Sequence, residues 1–140
     1  MTRCLVDTNV LSELRRPKPE AKVLAFIASQ KLEDLFISTV TFAEIRFGIE
    51  RLNDFEKRNV LQNWLNHTVR PMFTGRVLSI TEEIMLEWRI MVEKGRQRGH
   101  TFSQPDLIIA ATALYHGLTV ATRDTNEYLI AGVPVIDPWQ

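Results

Sequence analysis

The chain has 140 residues, of which 45% are hydrophobic, and this length supports one sizeable core but not two ordinary domains. Lysine plus arginine and aspartate plus glutamate number 17 each, so bulk charge neither attracts nor repels nucleic acid, and any such binding must come from a local patch. The single cysteine, Cys4, excludes an internal disulfide and a cysteine-built metal site, and no apolar run is long enough to span a membrane, so we expect one soluble domain over residues 1–140 in a reducing cytoplasm.

The first half of the chain predicts two strands, each followed by helices. The run Cys4–Val6 is apolar and precedes Asp-Thr-Asn, which is typical of a buried parallel strand that ends at a helix cap. A second strand is predicted over 32–38, and Ser38 or Thr39 is expected to cap the helix that follows. The apolar spacing, with prolines as breaks, predicts the helices of this half at 9–16, around 23–27, at 39–52 and at 54–68, the last ending before Pro71.

The second half continues the alternation of strands and helices. Thr81 starts a long amphipathic helix that ends at Gly99, with acidic residues in its first turn and basic residues near its end, as the helix dipole favours. Ser103 and Pro105 open another helix over 104–116. Short strands are predicted at 76–80, 118–122 and 133–137. This order predicts an α/β fold, a three-layer α/β/α sandwich with a central, mostly parallel sheet.

Four acidic residues mark the carboxyl-end edge of this predicted sheet, where ligands of such folds gather. Asp7 and Asp124 directly follow apolar strands, whereas Glu44 and Asp106 lie in the opening turns of helices that leave the same edge. Each residue alone has a simpler explanation as a cap, a turn residue or a solvated helix residue. Four carboxylates at one edge repel one another unless a cation joins them, and hard oxygen ligands favour Mg²⁺ or Mn²⁺ over zinc. Together they predict a metal site suited to phosphodiester hydrolysis by an activated water.

The segments that carry these acids resemble a known family over essentially the whole chain. They are similar to a PIN domain of the VapC type, the toxin half of bacterial toxin–antitoxin pairs, in the pieces LVDTNVLSEL, ISTVTFAEIRFGI, QPDLIIAATALYHGLTVATRDTNEY and VPVIDPW. The resemblance implies a PIN-like fold and a ribonuclease in which a divalent ion is held by the acids Asp7, Glu44, Asp106 and Asp124. It further implies a homodimer, an antitoxin peptide along the helices of residues 39–68, and operator DNA contacted only through the antitoxin.

The same resemblance suggests supporting roles for small polar residues next to the acids. These are Thr8 or Asn9 after the first acid, Ser38 before the second and Thr122 before the last. Plain helix capping explains the hydroxyl groups equally well.

Other residues near the predicted site have two explanations each. Arg46 shares a helix with Glu44 and is expected to pair with a site carboxylate or a phosphate, with an ordinary surface ion pair as an even alternative. Glu127 is either a fifth, water-mediated ligand or, the preferred interpretation, a surface helix residue outside the core site. Gly48 lies in mid-helix, where close helix packing or substrate approach would explain it.

Basic side chains beside the acids provide candidate contacts for RNA phosphates. Arg123 abuts Asp124, and a positive run precedes the Asp106 helix at Lys94, Arg96, Arg98 and His100. For that run, a solvated helix end that complements the helix dipole is the favoured explanation.

Two alternatives to a ribonuclease come from other classes. A phosphorelay receiver-like domain also gathers acids and Mg²⁺ at one sheet edge, but receivers carry paired acids after the first strand and a lysine after the last, and this chain has Asp-Thr-Asn and no lysine after Lys94. The second alternative is a catalytically idle PIN module that acts with an antitoxin in DNA-bound autorepression.

Overall fold

A parallel sheet forms the centre of the molecule. The structure is a computed structural model that describes residues 2–140. Within that range the sheet has five strands in the order β3-β2-β1-β4-β5. Their bounds are β1 Cys4–Val6, β2 Leu35–Ser38, β3 Val77–Leu78, β4 Thr119–Ala121 and β5 Val135–Ile136. All four strand pairings are parallel, which confirms the predicted α/β class.

Helices cover both faces of the sheet. The α-helices of the described chain are α1 Thr8–Leu14, α2 Ala21–Ser29, α3 Thr39–Glu50, α4 Phe55–Trp64, α5 Arg70–Met72, α6 Glu82–Gln97, α7 Gln104–His116 and α8 Thr125–Ile130. None of the helices within residues 2–140 combines the length and apolar character needed to cross a membrane.

Most predicted elements differ from the structure by one to three residues at their ends, and two of them differ in kind over part of their length. The strand predicted over 32–38 begins only at Leu35, because the acidic segment Leu32–Asp34 forms a 3₁₀ turn, and acidic residues are poor strand formers. The helix predicted over 54–68 changes to a π-helix at Leu65–Val69 and then to α5. Pro71 therefore does not end the helical path; it lies in the first turn of α5, where its missing N–H is not needed.

The alternation of side chains along β1 divides the core into two layers. Cys4 and Val6 point into a cluster shared with α1, α2, α3 and the π-helix. Leu5 points to the opposite face, into a cluster built mainly by α6, α7 and α8. All three residues of β1 are at most 1% exposed, so the central strand is buried on both faces.

Because the strands are parallel, the loops after β1, β2 and β4 all open at the same edge of the sheet. The Asp7 N–H donates to the Ala121 carbonyl at 3.0 Å, which extends the β1–β4 pairing to the first predicted site residue. The fold therefore brings the residues after β1 and β4 together at this edge.

Two glycines within helices give opposite expectations for substitution by alanine. Apart from its chain neighbours and the backbone of its own helix, no atom of residues 2–140 lies within 4 Å of the position that a Gly48 Cβ would occupy, so packing against another element does not explain this glycine. We expect Gly48→Ala to raise the free energy of unfolding by about 0.5–1 kcal/mol, since alanine is the better helix former. A Gly95 Cβ would lie 2.7 Å from Phe102 Cε2 and 2.9 Å from the His100 carbonyl oxygen. Gly95→Ala should therefore lower the free energy of unfolding by about 1–3 kcal/mol despite the same gain in helix propensity.

Denaturant unfolding of both variants, beside the unsubstituted chain, measures these changes. Equal effects of the two substitutions would contradict the close contact at Gly95.

Candidate active site

The four predicted acids line one open cleft of about 580 Å³ beyond the ends of β1 and β4. Asp7 is buried at its floor, Asp106 is half-buried, and Glu44 and Asp124 are exposed. Thr8, Asn9 and Glu13 line the same cleft. The structure therefore brings together all four acids that the sequence places at this edge of the sheet.

Asp7 is held by hydrogen bonds to both of its carboxylate oxygens. Its Oδ1 accepts from the Thr8 N–H at 2.8 Å, and its Oδ2 accepts from the Thr122 hydroxyl at 2.8 Å and from the Tyr128 hydroxyl at 3.2 Å. Burial raises the pKa of Asp7; the hydrogen bonds oppose that rise, the Thr122 bond most strongly, and nearby Asp124 adds to it, with a net increase. The hydrogen bonds therefore fix the Asp7 carboxylate in position, although burial disfavours its charged form.

Asn9 and Thr122 join the loop after β4 to the start of α1. The Asn9 side-chain amide donates to the Thr122 Oγ1 at 3.1 Å, and the Asp124 N–H donates to the same oxygen at 3.0 Å. The Asn9 Oδ1 accepts from the Arg123 N–H at 3.3 Å. Since the Thr122 hydroxyl itself donates a hydrogen bond to Asp7, this network places the Asp124 backbone beside Asp7. Both predicted supporting residues lie in the site.

Glu44 and Asp106 also have raised pKa values. For Glu44, burial is the main cause of the increase, followed by the charges of Asp7 and Asp106. For Asp106, burial and the charges of Asp7, Asp124 and Glu127 raise the pKa to about 6, and the Tyr128 hydroxyl opposes the rise. Asp124 makes no capping hydrogen bond at the start of α8, so its carboxylate is not used as a helix cap.

Two predicted supporting residues lie elsewhere. Ser38 is fully buried and caps α3, its Oγ accepting from the Val40 N–H at 3.0 Å, so capping is its role in the structure. Arg46 pairs with Glu50 at 3.5 Å and lines a separate cavity of about 210 Å³ between α3 and the π-helix. Both lie outside the cleft lining, Arg46 because it is on a different face of α3 from Glu44.

Thr8 lies in the lining of the cleft, whereas Glu127 does not. Thr8 lines the cleft, and its buried hydroxyl has no hydrogen-bond partner in the described chain. Glu127 is half-buried and pairs with His100 at 3.3 Å, and its charge raises the pKa of Asp106. Glu127 lies on α8 and outside the cleft lining, as the preferred prediction has it, although its charge acts on Asp106.

Two site residues were not predicted. Tyr128 is fully buried, and a buried tyrosine hydroxyl requires a partner, so its place after the last acid was an available signal. Glu13 is also buried; its carboxylate accepts from the Glu20 N–H at 2.9 Å and from Arg16 at 3.2 Å, and these bonds, the Glu20 bond first, lower its pKa. Nothing in the local sequence separates Glu13 from an ordinary exposed helix residue.

The donor set fits a hard divalent ion. Within residues 2–140, no three histidine, cysteine, aspartate or glutamate side chains lie close enough together, as placed, to hold a metal ion between them. The four carboxylates instead line the cleft openly, together with the unpartnered Thr8 hydroxyl. Mg²⁺ usually takes one or two carboxylates and keeps several waters, so an open, all-oxygen set suits Mg²⁺ or Mn²⁺ better than a zinc site would.

Comparison with known proteins agrees with this geometry. The family profile described as the PIN domain matches residues 4–132. The chain belongs to the PIN-domain family.

Its relatives within this family match it over nearly their full length. It is 41% identical over 135 residues to toxin FitB of Neisseria gonorrhoeae, covering 96% of this chain and 97% of FitB. It is 38% identical over 136 residues to VapC ribonuclease Y4jK of Sinorhizobium fredii, covering 97% of each chain. The structure of FitAB bound to an IR36 DNA fragment matches with a TM-score of 0.92 at 39% identity, over 98% of this chain and 96% of that one. The predicted PIN-like fold is confirmed.

Replacing Asp106 should stabilise the metal-free PIN domain at neutral pH. Its carboxyl group has an ordinary pKa of 3.8 and a folded-state pKa of about 6, so between these values the folded chain binds more protons than the unfolded chain. Its contribution to stability is therefore lost as pH rises through that range. We expect Asp106→Asn to add about 1–2 kcal/mol at pH 7, less than the full pKa shift implies, because the partly exposed group is screened by water.

Denaturant unfolding in EDTA at pH 4 and pH 7 tests this, with a smaller pH dependence expected for the variant. An Asp106→Asn variant less stable than the parent at pH 7 would refute it.

Removing the Tyr128 hydroxyl should lower the stability of the fold by deleting one of the hydrogen bonds to the Asp7 carboxylate. Tyr128→Phe keeps the buried ring but deletes a donor to the Asp7 carboxylate, and we expect a loss of about 1 kcal/mol in the free energy of unfolding. Tyr115→Phe is the matched control, because Tyr115 lies on α7 with 50% of its surface exposed. Thermal and denaturant unfolding of both variants provide the comparison; equal losses would argue against a specific bond to Asp7.

Proposed function

We propose that this PIN domain is a Mg²⁺- or Mn²⁺-dependent endoribonuclease and the toxin of a toxin–antitoxin pair. The observation that carries the proposal is the convergence of four carboxylates in one cleft of a PIN fold. Two relatives that match nearly the whole chain, one named toxin FitB and the other VapC ribonuclease Y4jK, support the same assignment.

The residues of the cleft have different roles in the proposed reaction. The ion would be held by Asp7, Glu44, Asp106 and Asp124. When bound, the ion supplies an activated water and neutralises charge on the phosphate. Asp7, fixed by three donors, sets the position of the whole site. Glu44 and Asp124 are exposed and face arriving substrate, while Glu13 fixes the segment after α1 by its bond to the Glu20 N–H.

The proposed partners follow from the family and from the surface. Exposed apolar side chains lie along α3 and α4, with Phe47 64%, Phe55 71% and Val60 65% exposed. Such a surface supports a homodimer and a cognate antitoxin. The DNA in the matching FitAB structure supports operator binding through the antitoxin. The cytoplasm, where RNA and antitoxin are both found, is the proposed location.

The competing functions are weaker. A receiver-like domain is not retained, because the chain belongs to the PIN family and the position of a second acid is taken by Asn9, which is bonded to Thr122 and Arg123. A catalytically idle module would not need charged groups with raised pKa values in an open cleft.

Substituting the acids one at a time tests the proposal. We expect Asp7→Asn, Glu44→Gln, Asp106→Asn and Asp124→Asn each to lower Mn²⁺-dependent RNA cleavage by about 100-fold or more. EDTA should abolish cleavage by the parent protein, and Mn²⁺ should restore it. Calorimetric titration with Mn²⁺ should show weakened binding in the same variants.

Glu93→Gln is the matched control, since Glu93 lies on α6 and pairs with Arg89 outside the cleft. The proposal fails if the protein, freed of any partner, cuts no RNA with Mn²⁺, or if the four variants cut RNA as the parent does.

A further inference from the structure

The carboxylate cleft is also lined by cationic side chains. Arg15, Arg16 and Arg123 line it together with Trp139. Arg15 and Arg16 follow the end of α1, and Arg123 lies between β4 and α8. Since the chain has no net charge, this grouping of arginines beside the acids is a local feature rather than a consequence of composition.

Arg123 is held at both its backbone and its side chain. Its N–H donates to the Asn9 Oδ1 at 3.3 Å, and its guanidinium carbon lies over the Trp139 ring, 5.1 Å from the centroid. Trp139 is itself partly buried against the core, and its N–H donates to Asp137 Oδ1 at 2.9 Å. The guanidinium is therefore carried on a fixed aromatic platform next to Asp124.

Two of the three arginines are not used in salt bridges. Arg16 pairs with the buried Glu13 at 3.2 Å. Across residues 2–140, neither Arg15 nor Arg123 forms a salt bridge, and both are exposed. The charge of Arg123 contributes to the lowered pKa of Glu13, but neither arginine is within salt-bridge distance of a carboxylate of the cleft. These two positive charges instead remain available to a ligand.

We propose that Arg15, Arg123 and Trp139 form a nucleotide subsite for single-stranded RNA beside the scissile phosphate. The carboxylates repel a polyanion, so a strand needs cationic groups in the cleft to approach them. Arg15 binds a backbone phosphate. Arg123, seated on Trp139, presents its guanidinium plane to an unpaired base. That the ligand is RNA rests on the proposed function, but the subsite is expected to bind RNA without the metal.

Binding of RNA in EDTA, where no cleavage occurs, tests the subsite separately from catalysis. The probe is a fluorescein-labelled single-stranded RNA of about 12 nucleotides, within the range that such grooves cover, and the readout is anisotropy across a salt series. We expect Arg123→Ala and Trp139→Ala to weaken binding about tenfold. Arg15→Ala should reduce the slope of log affinity against log salt by about 0.7, the value for one phosphate contact on a single strand.

Arg123→Lys separates stacking from charge. It should keep the salt slope of the parent protein but lose most of the affinity that Arg123→Ala loses, because lysine has no planar group. If a circular dichroism melt shows that Trp139→Ala does not fold, the Arg123→Lys variant tests the subsite without it. Arg89→Ala, on α6 and outside the cleft lining, removes the same charge and is the matched control.

The tryptophan emission provides a second readout. RNA should change the emission of the parent protein and of Trp88→Phe, but not that of Trp139→Phe. The subsite is refuted if the parent binds no RNA at low salt, if Arg123→Lys binds as the parent does, or if Arg89→Ala weakens binding as much as Arg15→Ala. These outcomes are independent of the Mn²⁺ cleavage assay, so failure of the subsite leaves the proposed ribonuclease standing, and the reverse also holds.

Discussion

The hydrogen bond from the Thr122 hydroxyl to Asp7 joins two residues that are 115 positions apart in the chain, and the rest of the site depends on it. It extends the pairing of β1 with β4 into the loops beyond them. Through the Thr122 oxygen it also positions the Asp124 N–H and the Asn9 amide. A two-residue loop shift on either side would separate the first acid from the last, so the parallel register of the central strands is what assembles the carboxylates.

Bringing the carboxylates together lowers the free energy of unfolding, and hydrogen bonds to Asp7 offset part of that loss. Burial and mutual repulsion raise the pKa values of Asp7, Glu44 and Asp106. Only Asp7, the most buried, receives several donors, and the others remain open to the cleft. An arrangement that minimised repulsion would have spread the acids or paired them with the nearby arginines. Strain of this kind, concentrated at one edge of an otherwise well-packed sheet, is typical of a site that has a ligand to gain.

The features that could be predicted from sequence are those encoded locally. Asp7 and Asp124 follow apolar strands, and the helix signals at Thr81, Ser103 and Pro105 predicted α6 and α7 within one or two residues. The features that could not be predicted depend on contacts between distant segments or on which helix face a residue occupies. The bond from Tyr128 to Asp7 spans 121 positions, and Arg46, two residues from Glu44, lies on another face of α3. Local pattern also overestimated the strand at 32–38, because the acidic segment Leu32–Asp34 forms a 3₁₀ turn before β2 begins at Leu35.

Equal numbers of acidic and basic residues could suggest that the protein has no means of attracting RNA, but the distribution of charge matters more than its sum. Burial commits Glu13 to the Glu20 N–H and to Arg16, so that one arginine is neutralised for structural reasons. Arg15, the adjacent residue, is left exposed at the cleft, and Arg123 is lifted onto Trp139 instead of pairing with Asp124 beside it. Apart from the pair of Glu13 with Arg16, the cleft thus leaves its acids and its arginines unpaired within residues 2–140. If the acids and arginines were paired, neither a cation nor a phosphate would gain by binding there; left unpaired, both can bind in the same cleft.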